Sequence, residues 1–179
     1  PGPISGLGNV RKVAAGMHYG VALTADGRLF QWGLSRASGG PDVRPGQSGT
    51  YGSVPQQVVG LTDVRDVSAR VQNTVAAAGD DGQVWVWGRN QESVLGDPTL
   101  DATDAPVQVR FADGTPLTGV WRVACGYNFC LALRRDGTVW GWGDGVNGQL
   151  GTGRTVVEPK PVQALFPDGV RVIDIRAGR

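Results

Sequence analysis

Three glycines near the end of the chain have the spacing of a phosphate-binding loop. Gly143, Gly145 and Gly148 form a G-x-G-x-x-G pattern, which in dinucleotide-binding proteins joins a strand to a helix whose N-terminus faces the pyrophosphate. The residues after Gly148 are QLGTGRTVVEPKP, which show no helical periodicity and include two prolines. The sequence therefore predicts a turn at this point and no nucleotide or other cofactor.

Other residue types that support catalysis or metal binding are few. His18 is the single histidine and has no acidic residue near it in the sequence, so we expect it to face solvent or to be hydrogen-bonded rather than to act as a base. Asp97, Asp101 and Asp104 share one segment, but a calcium loop needs carboxylates at alternate positions and a glycine at its sharp turn. We predict no catalytic site, no metal site and no enzymatic activity.

Cys125 and Cys130 are the two cysteines and lie five residues apart. Two cysteines are too few for a disulfide framework, and no zinc-ligand partners accompany them. We expect two buried free thiols on adjacent strands. The pair does not indicate a cellular compartment.

The charged residues are balanced and scattered. The 179 residues carry a net charge of +1, with 17 basic and 16 acidic residues, and no basic stripe is present that would hold a phosphate backbone. No apolar run approaches the ~18 residues of a membrane span. We therefore predict neither nucleic-acid binding nor membrane insertion. The large excess of arginine over lysine favours a chain encoded by GC-rich bacterial DNA.

Three segments of the chain repeat one another. Their landmarks are Asp-Gly pairs at Asp26, Asp81 and Asp136, Trp-Gly pairs at Trp32, Trp87 and Trp142, and prolines at Pro3, Pro55, Pro106 and Pro161. Both dipeptides recur every 55 residues, which is typical of a repeat architecture. Each period contains four pieces that resemble strands.

The third repeat is the clearest. Strands are predicted at about 120 to 125, 129 to 134 and 138 to 142, with a fourth opened by Pro161, and Asp136-Gly137 supplies the positive φ of a tight hairpin. Alternation in TVWGW places Trp140 and Trp142 on one face of the sheet. Both faces are apolar or small, which favours sheets stacked radially in a propeller, with the tryptophans between sheets.

These motifs resemble the regulator of chromosome condensation repeat, the RCC1-type repeat. The matching residues of the third copy are Ala124-Cys125-Gly126, Leu131-Ala132-Leu133, Asp136-Gly137, Trp142-Gly143 and Gly148-Gln149-Leu150-Gly151. Members of that family form seven-bladed β-propellers. The resemblance therefore implies an all-β fold, with about three four-stranded antiparallel blades that form part of a seven-bladed ring.

The repeats set the expected domain organisation. We predict one partial propeller domain over residues 1–179, with full repeats at about 10–59, 64–110 and 120–165 and partial repeats at 1–9 and 166–179. Three blades cannot close a ring, and open sheet faces are avoided in proteins. We expect the rest of the propeller to come from a longer chain, or less readily from a second copy.

Loops that differ between repeats are the expected contact surfaces, because a repeat commits most other side chains to the core. The segment between Trp32-Gly33 and Pro55 is longer than its counterparts by four residues, and it displaces the Gly-Gln-Leu-Gly turn. Arg36, Arg44 and Tyr51 in it are residue types enriched in interfaces. Trp121 stands where the other repeats have Arg11, Arg65 and Ile173. An exposed Trp121 would indicate a contact surface, and a packed one local core.

The predicted function is a non-enzymatic scaffold that binds a protein partner through loops between its strands. A structural subunit of a larger assembly is the alternative from the sequence itself. Members of the family that the chain resembles act as exchange factors for a small GTPase on chromatin, as inhibitors of bacterial β-lactamases, or as interaction domains of large proteins. The resemblance therefore adds two alternatives, an exchange factor and an enzyme inhibitor.

Overall fold

A computed structural model describes residues 7–33, 51–70, 73–99 and 102–178. In the strand that begins at Tyr51, the side chains of residues 51–53 lie outside this description. The structural statements below concern the described residues.

Twelve strands form three sheets of four antiparallel strands, each sheet in chain order. The first sheet contains β1 (Val10–Ala15), β2 (Tyr19–Thr24), β3 (Leu29–Gly33) and β4 (Tyr51–Gln57). The second contains β5 (Val64–Arg70), β6 (Thr74–Gly79), β7 (Val84–Gly88) and β8 (Thr103–Gln108). The third contains β9 (Val120–Cys125), β10 (Phe129–Arg134), β11 (Val139–Gly143) and β12 (Glu158–Gln163). A short 3-10 helix at Gln91–Ser93 is the helical element of the described residues.

The three sheets are propeller blades packed face against face. β5 contacts β1 on one side and β9 on the other, so the first strands of the blades converge. One cluster of buried side chains joins the first two blades and contains Val21, Leu23, Val75 and Trp87. A second cluster joins blades two and three and contains Ala76, Val86, Cys130 and Trp142. The predicted all-β propeller fold is confirmed.

Each Trp-Gly tryptophan of blades two and three packs on the blade that precedes it. The indole Nε1 of Trp87 donates a hydrogen bond to Gln31 Oε1 at 2.8 Å, and that of Trp142 donates to Val94 O at 2.8 Å. Both tryptophans are almost completely buried. Their placement between sheets is as predicted, because residues two apart in a strand share a face.

The buried Tyr19 links blades one and two. Its hydroxyl donates to Thr74 O at 2.9 Å and accepts from the backbone N–H of Arg70 at 3.3 Å. Burial raises the pKa of the Tyr19 phenol well above its ordinary value, while the bond from Arg70 opposes that shift. The phenol therefore stays protonated and keeps donating to the neighbouring blade.

Three of the landmark prolines, Pro55, Pro106 and Pro161, lie inside the fourth strands rather than at their starts, which corrects the predicted strand boundary. Pro3 lies outside the described residues. β12 begins at Glu158, three residues before Pro161. Its pairing with β11 shifts register between Gly141 and Gly143. A proline lacks the N–H that a ladder requires, but it is tolerated on an edge strand beside a bulge.

The two cysteines form a disulfide between β9 and β10, which corrects the expectation of free thiols. Cys125 pairs directly with Cys130 across the hairpin, with 4.0 Å between their Cα atoms. Side chains of directly opposed residues lie on one face of a sheet. The predicted placement of both residues on adjacent buried strands is correct, and the same placement allows the bond.

The Asp-Gly turns connect β2 to β3, β6 to β7 and β10 to β11. In the third blade, Gly137 has φ 88° and its N–H donates to Arg134 O at 3.0 Å, as in a type I turn followed by a left-handed glycine. Asp136 Oδ1 accepts from the N–H and the hydroxyl of Thr138 at 2.9 and 2.6 Å. The hydroxyl of Thr138 is the main cause that holds the pKa of Asp136 below its ordinary value.

Lowering of the Asp136 pKa predicts an acid-dependent contribution to stability. Since the folded pKa lies below the unfolded one, the contribution is complete above the unfolded value of about 3.9 and disappears as pH falls from there through the folded value. Replacing Thr138 with valine should lower the urea midpoint at pH 6, and this difference from the parent should shrink at pH 2. The control is Thr118→Val, since Thr118 is exposed and makes no described side-chain bond to an aspartate. A difference for Thr138→Val that is equal at both pH values would contradict this account.

Candidate functional site

The predicted loop contact falls largely outside the described residues. Arg36 and Arg44 lie outside them, and Tyr51 is described only as the first backbone position of β4. The insertion is bounded by Gly33, the last residue of β3, and by Tyr51. Its role in partner binding stays a prediction.

The glycine pattern at residues 143–148 forms turns of the blade. Gly143 ends β11 with φ 94°, and Gly148 has φ 76° and donates to Gly145 O at 2.9 Å. No described helix follows them. This geometry is the turn predicted from the sequence, and it lacks the helix N-terminus on which a dinucleotide site depends.

The remaining chemical candidates are not brought together. His18 is exposed immediately before β2. Asp97 accepts from the hydroxyl of Thr99 at 2.7 Å and lies 3.9 Å from Lys160 Nζ. Asp101 is outside the described residues. Among the described residues, no group of three or more His, Cys, Asp or Glu side chains is placed to hold a metal ion.

Trp121 is the predicted contact residue whose side chain the structure describes. It is half-buried in β9 and packs beside the cluster of Leu133, Val139 and Ala164. The Arg122 guanidinium lies 4.8 Å from the centre of its ring, within the range of a cation–π contact. Trp121 is therefore neither fully exposed nor core, and part of its surface is available beside two cavities.

Opposite charges alternate along the converging first strands of the blades. Lys12 Nζ lies 2.6 Å from Asp66 Oδ1, and Arg122 Nε lies 3.2 Å from Asp174 Oδ1. Asp66 is largely buried, and its second oxygen accepts from Val123 N–H at 2.9 Å. These four charged residues occupy the same position in successive repeats. Ion pairs join blade one to blade two and blade three to the segment after it, while the bond from Val123 joins blades two and three.

Two cavities meet at Trp121. The first has a volume of about 570 Å³ and is lined by Trp121, Arg134, Arg135, Arg171, Val172 and Ile173. The second, of about 290 Å³, is lined by Arg11, Lys12, Arg65, Asp66, Trp121 and Arg122. Seven of the lining residues are basic and one is acidic. The scattered charges of the sequence thus become a local concentration in the structure.

Sequence reasoning missed the arginines of the first cavity because they are far apart along the chain. Arg171 belongs to the segment that follows the third blade, yet its guanidinium donates to Arg135 O at 2.6 Å. The same segment is held by Val172, whose N–H donates to Gly137 O at 3.2 Å. Val64 and Val120 make the same bond to Gly27 and Gly82. The sequence signal that could have located the cavity is the recurrence of Val64, Val120 and Val172 at the same position of successive repeats.

No helix among the described residues is long and apolar enough to span a membrane.

Comparison with known proteins identifies the repeat. A model of the "Regulator of chromosome condensation (RCC1) repeat" matches residues 81–133 and 136–179, and a second model of that repeat matches residues 122–149. The first match spans β7 and β8 of one blade and β9 and β10 of the next. A repeat unit of the sequence therefore bridges two blades.

Curated relatives that are at least 30% identical to the chain include two mammalian proteins. The human E3 ubiquitin-protein ligase HERC2 is 33% identical over 95% of this chain, which corresponds to 3% of the ligase. The mouse secretion-regulating guanine nucleotide exchange factor is 32% identical over 78% of this chain, which corresponds to 30% of that protein. The chain thus spans only a part of the relatives that it matches.

The fold is also that of a solved structure. The crystal structure of human WBSCR16 superposes with a TM-score of 0.75 and 28% identity, over 95% of this chain and 42% of that one.

Proposed function

Because the chain belongs to the regulator of chromosome condensation (RCC1) repeat family, we propose that it is a non-enzymatic propeller scaffold that binds a protein partner. The observation that carries the proposal is the half-buried Trp121 beside two cavities at the converging strands. The repeated tryptophans of blades two and three are used between the sheets, whereas Trp121 retains surface for a partner. Aromatic and arginine side chains are enriched in interface hot spots.

The chemistry of the candidate residues supports a binding role over a catalytic one. His18 and Asp97 lie in different parts of the described structure and make no shared hydrogen bond, so they do not form an acid–base pair. The G-x-G-x-x-G glycines serve blade turns. A structural subunit of a larger assembly uses the same surfaces, and its partners would be permanent rather than exchanging.

An exchange-factor role is the second candidate. The similarity that favours it is the 32% identity to the mouse secretion-regulating guanine nucleotide exchange factor. An inhibitor of an enzyme is a further form of the same protein-binding role.

We further propose that residues 1–179 are one part of a propeller domain, with partial repeats at 1–9 and 166–179, completed by a longer chain or by a second copy. The bacterial origin stays a prediction, and the two relatives described above are mammalian.

The insertion residues give the test of partner binding. The partner is captured from a lysate of the source cells with the immobilised chain, identified by mass spectrometry, purified and titrated by calorimetry. Replacing Arg36, Arg44 and Tyr51 with alanine should weaken its binding by more than about 2 kcal/mol in total, because hot-spot truncation costs at least ~1 kcal/mol per residue. The melting temperature should barely change, since surface substitutions have small effects on stability.

The matched control replaces two exposed arginines and an exposed tyrosine elsewhere, Arg28, Arg110 and Tyr127, with alanine. Partner affinity in the control should equal that of the parent. Equal affinity in the insertion variant would show that the insertion is only a spacer, and Trp121→Ala is then the next variant to measure. A purified partner that fails to bind the folded parent chain would refute the scaffold function.

A further inference from the structure

An asparagine followed by a glycine lies in an exposed turn of the third blade. Asn147 and Gly148 belong to the loop between β11 and β12, and both residues are exposed. Glu92 occupies the corresponding position of the second blade, three residues before the shared Leu-Gly, and it is exposed beside the complete third blade. A following blade therefore leaves this position of the loop in contact with solvent.

The backbone nitrogen of Gly148 and the side chain of Asn147 are able to react with each other. The nitrogen attacks the side-chain carbonyl carbon Cγ, the bond from Cγ to the amide nitrogen breaks, and ammonia leaves with the proton of the Gly148 N–H. The product is a succinimide ring, which water opens in two ways. Cleavage of the new bond to Cγ gives aspartate, and cleavage of the original peptide bond gives isoaspartate.

The structure leaves both reacting groups accessible. The side-chain amide of Asn147 makes no hydrogen bond within the described part of the chain. A Cβ at Gly148 would meet nothing within 4 Å, so no neighbouring group obstructs the approach. The Gly148 N–H donates to Gly145 O at 2.9 Å, and this bond must open before the attack. It belongs to a turn with an exposed tip, where local opening costs little free energy.

The other four asparagines of the chain are less reactive by their surroundings. They are Asn9, Asn73, Asn90 and Asn128, followed by valine, threonine, glutamine and phenylalanine. Each of these following residues carries a Cβ beside the attacking nitrogen, which glycine lacks. Asn73 and Asn128 are also buried. The side chain of Asn90 donates to Asp97 O at 2.7 Å and accepts from Leu95 N–H at 2.8 Å.

We infer that Asn147 is a site of spontaneous deamidation, which converts it to aspartate and isoaspartate through a succinimide with Gly148. Water is the only co-reactant. Because the amide is neutral and the product is a carboxylate, one conversion removes the net charge of +1 that the chain carries. The new charge lies at the same end of the blades as the insertion of blade one, since both segments join a third strand to a fourth. The inference stands on the reacting groups and does not rest on the proposed function.

Isoaspartate changes the turn as well as its charge. Its main chain runs through the former side chain and contains an additional carbon, so the spacing between Gly145 O and the Gly148 N–H changes. Gly151 N–H donates to Gly148 O at 3.0 Å, and Leu150 between them is almost completely buried. The extended turn therefore displaces a core side chain, and the isoaspartate form should melt at a lower temperature than the parent.

Peptide mapping after incubation tests the inference. The folded 179-residue chain is kept at physiological temperature and pH for several weeks, and samples are digested with trypsin. Cleavage after Arg135 and Arg154 gives a peptide in which Asn147 is the single asparagine. Deamidation changes its mass by the difference between an amide and an acid, whereas isomerisation of its Asp-Gly pairs does not. Asn147 should convert at least tenfold faster than each of the other four asparagines, which fall in other peptides.

Two variants assign the reaction to these two residues. Gly148→Ser is the matched variant, because the second blade carries Ser93 at this position with φ 57°. Serine adds a side chain beside the attacking nitrogen in a conformation that the fold accepts, so conversion of Asn147 should slow at least fivefold. Asn147→Gln requires a larger ring, and its conversion should be undetectable over the same period. Circular dichroism confirms that each variant is folded.

Three results would overturn the inference. The first is conversion of Asn147 that is no faster than that of the other asparagines. The second is an unchanged rate in Gly148→Ser. The third is conversion of the parent in urea but not in the folded chain, since the hydrogen bond to Gly145 would then keep the turn closed to the reaction.

Discussion

Trp142→Ala is expected to destabilise the chain by about 3 to 5 kcal/mol, the usual cost of truncating a buried tryptophan. Its side chain is 0% exposed and packs in the cluster between blades two and three. A Cβ at Gly96 would lie 3.6 Å from its Cδ1 atom, so the ring fills the space up to the preceding blade. Truncation opens a cavity there and leaves Val94 O without the indole donor.

Urea unfolding followed by circular dichroism measures this effect, and two variants separate its parts. Trp142→Phe keeps most of the aromatic ring but removes the indole N–H, so it should lower the free energy of unfolding by about 1 to 3 kcal/mol. This variant still allows a measurement where the alanine variant fails to fold. Trp121→Ala truncates a half-buried tryptophan in β9 of the same blade and should cost less than Trp142→Ala. A Trp142→Ala chain as stable as the parent would show that the blades do not depend on this contact.

Local patterns were sufficient to predict the strands and the faces of the tryptophans. Alternation in TVWGW and the 55-residue spacing of the landmarks act over one hairpin and one repeat. The observed β9, β10 and β11 match the predicted strands of the third repeat to within one residue. Since a strand's two faces are set by its own sequence, Trp87 and Trp142 could be assigned to the inter-blade core without knowledge of the neighbouring sheet.

Features that depend on register or on another blade could not be predicted in this way. The disulfide requires Cys125 and Cys130 to be directly opposed, which depends on the number of residues in the hairpin turn. The bulge of β12 determines where Pro161 lies. Both are set by turn geometry that composition alone does not specify.

The role of the Asp-Gly turns between blades was likewise hidden. From the sequence, Gly82 serves only as a residue that tolerates positive φ. In the structure its carbonyl accepts from Val120 N–H at 3.0 Å, and a Cβ there would lie 2.7 Å from Gly119 N. Each turn is thus also the docking point for the next blade. Arg135 and Arg171 meet for the same reason, although 36 residues separate them.

The glycine of the Trp-Gly landmark is explained by the approach of a neighbouring loop. At Gly143 a Cβ would collide with Asn128 O and would lie 2.9 Å from Phe129 Cα. Asn128 O also accepts from Asp144 N–H at 2.8 Å. The equivalent Gly33 and Gly88 meet the carbonyls of His18 and Asn73. All three glycines therefore allow the loop after the first strand to pack against the end of the third.

Gly143→Ala should destabilise the chain more than Gly148→Ala, although both glycines belong to the G-x-G-x-x-G pattern. Their φ angles are 94° and 76°, so alanine at either position adopts a disfavoured backbone conformation at about 1 to 2 kcal/mol. At Gly148 nothing lies within 4 Å of the added Cβ, and the cost should end there. At Gly143 the backbone of Asn128 and Phe129 must move, which adds about 1 to 3 kcal/mol.

Urea unfolding of the two variants measures the difference directly. Equal losses would mean that backbone conformation alone selects glycine at both positions. A larger loss at Gly143 would assign that glycine to contact between strand and loop, a structural role that requires no bound phosphate.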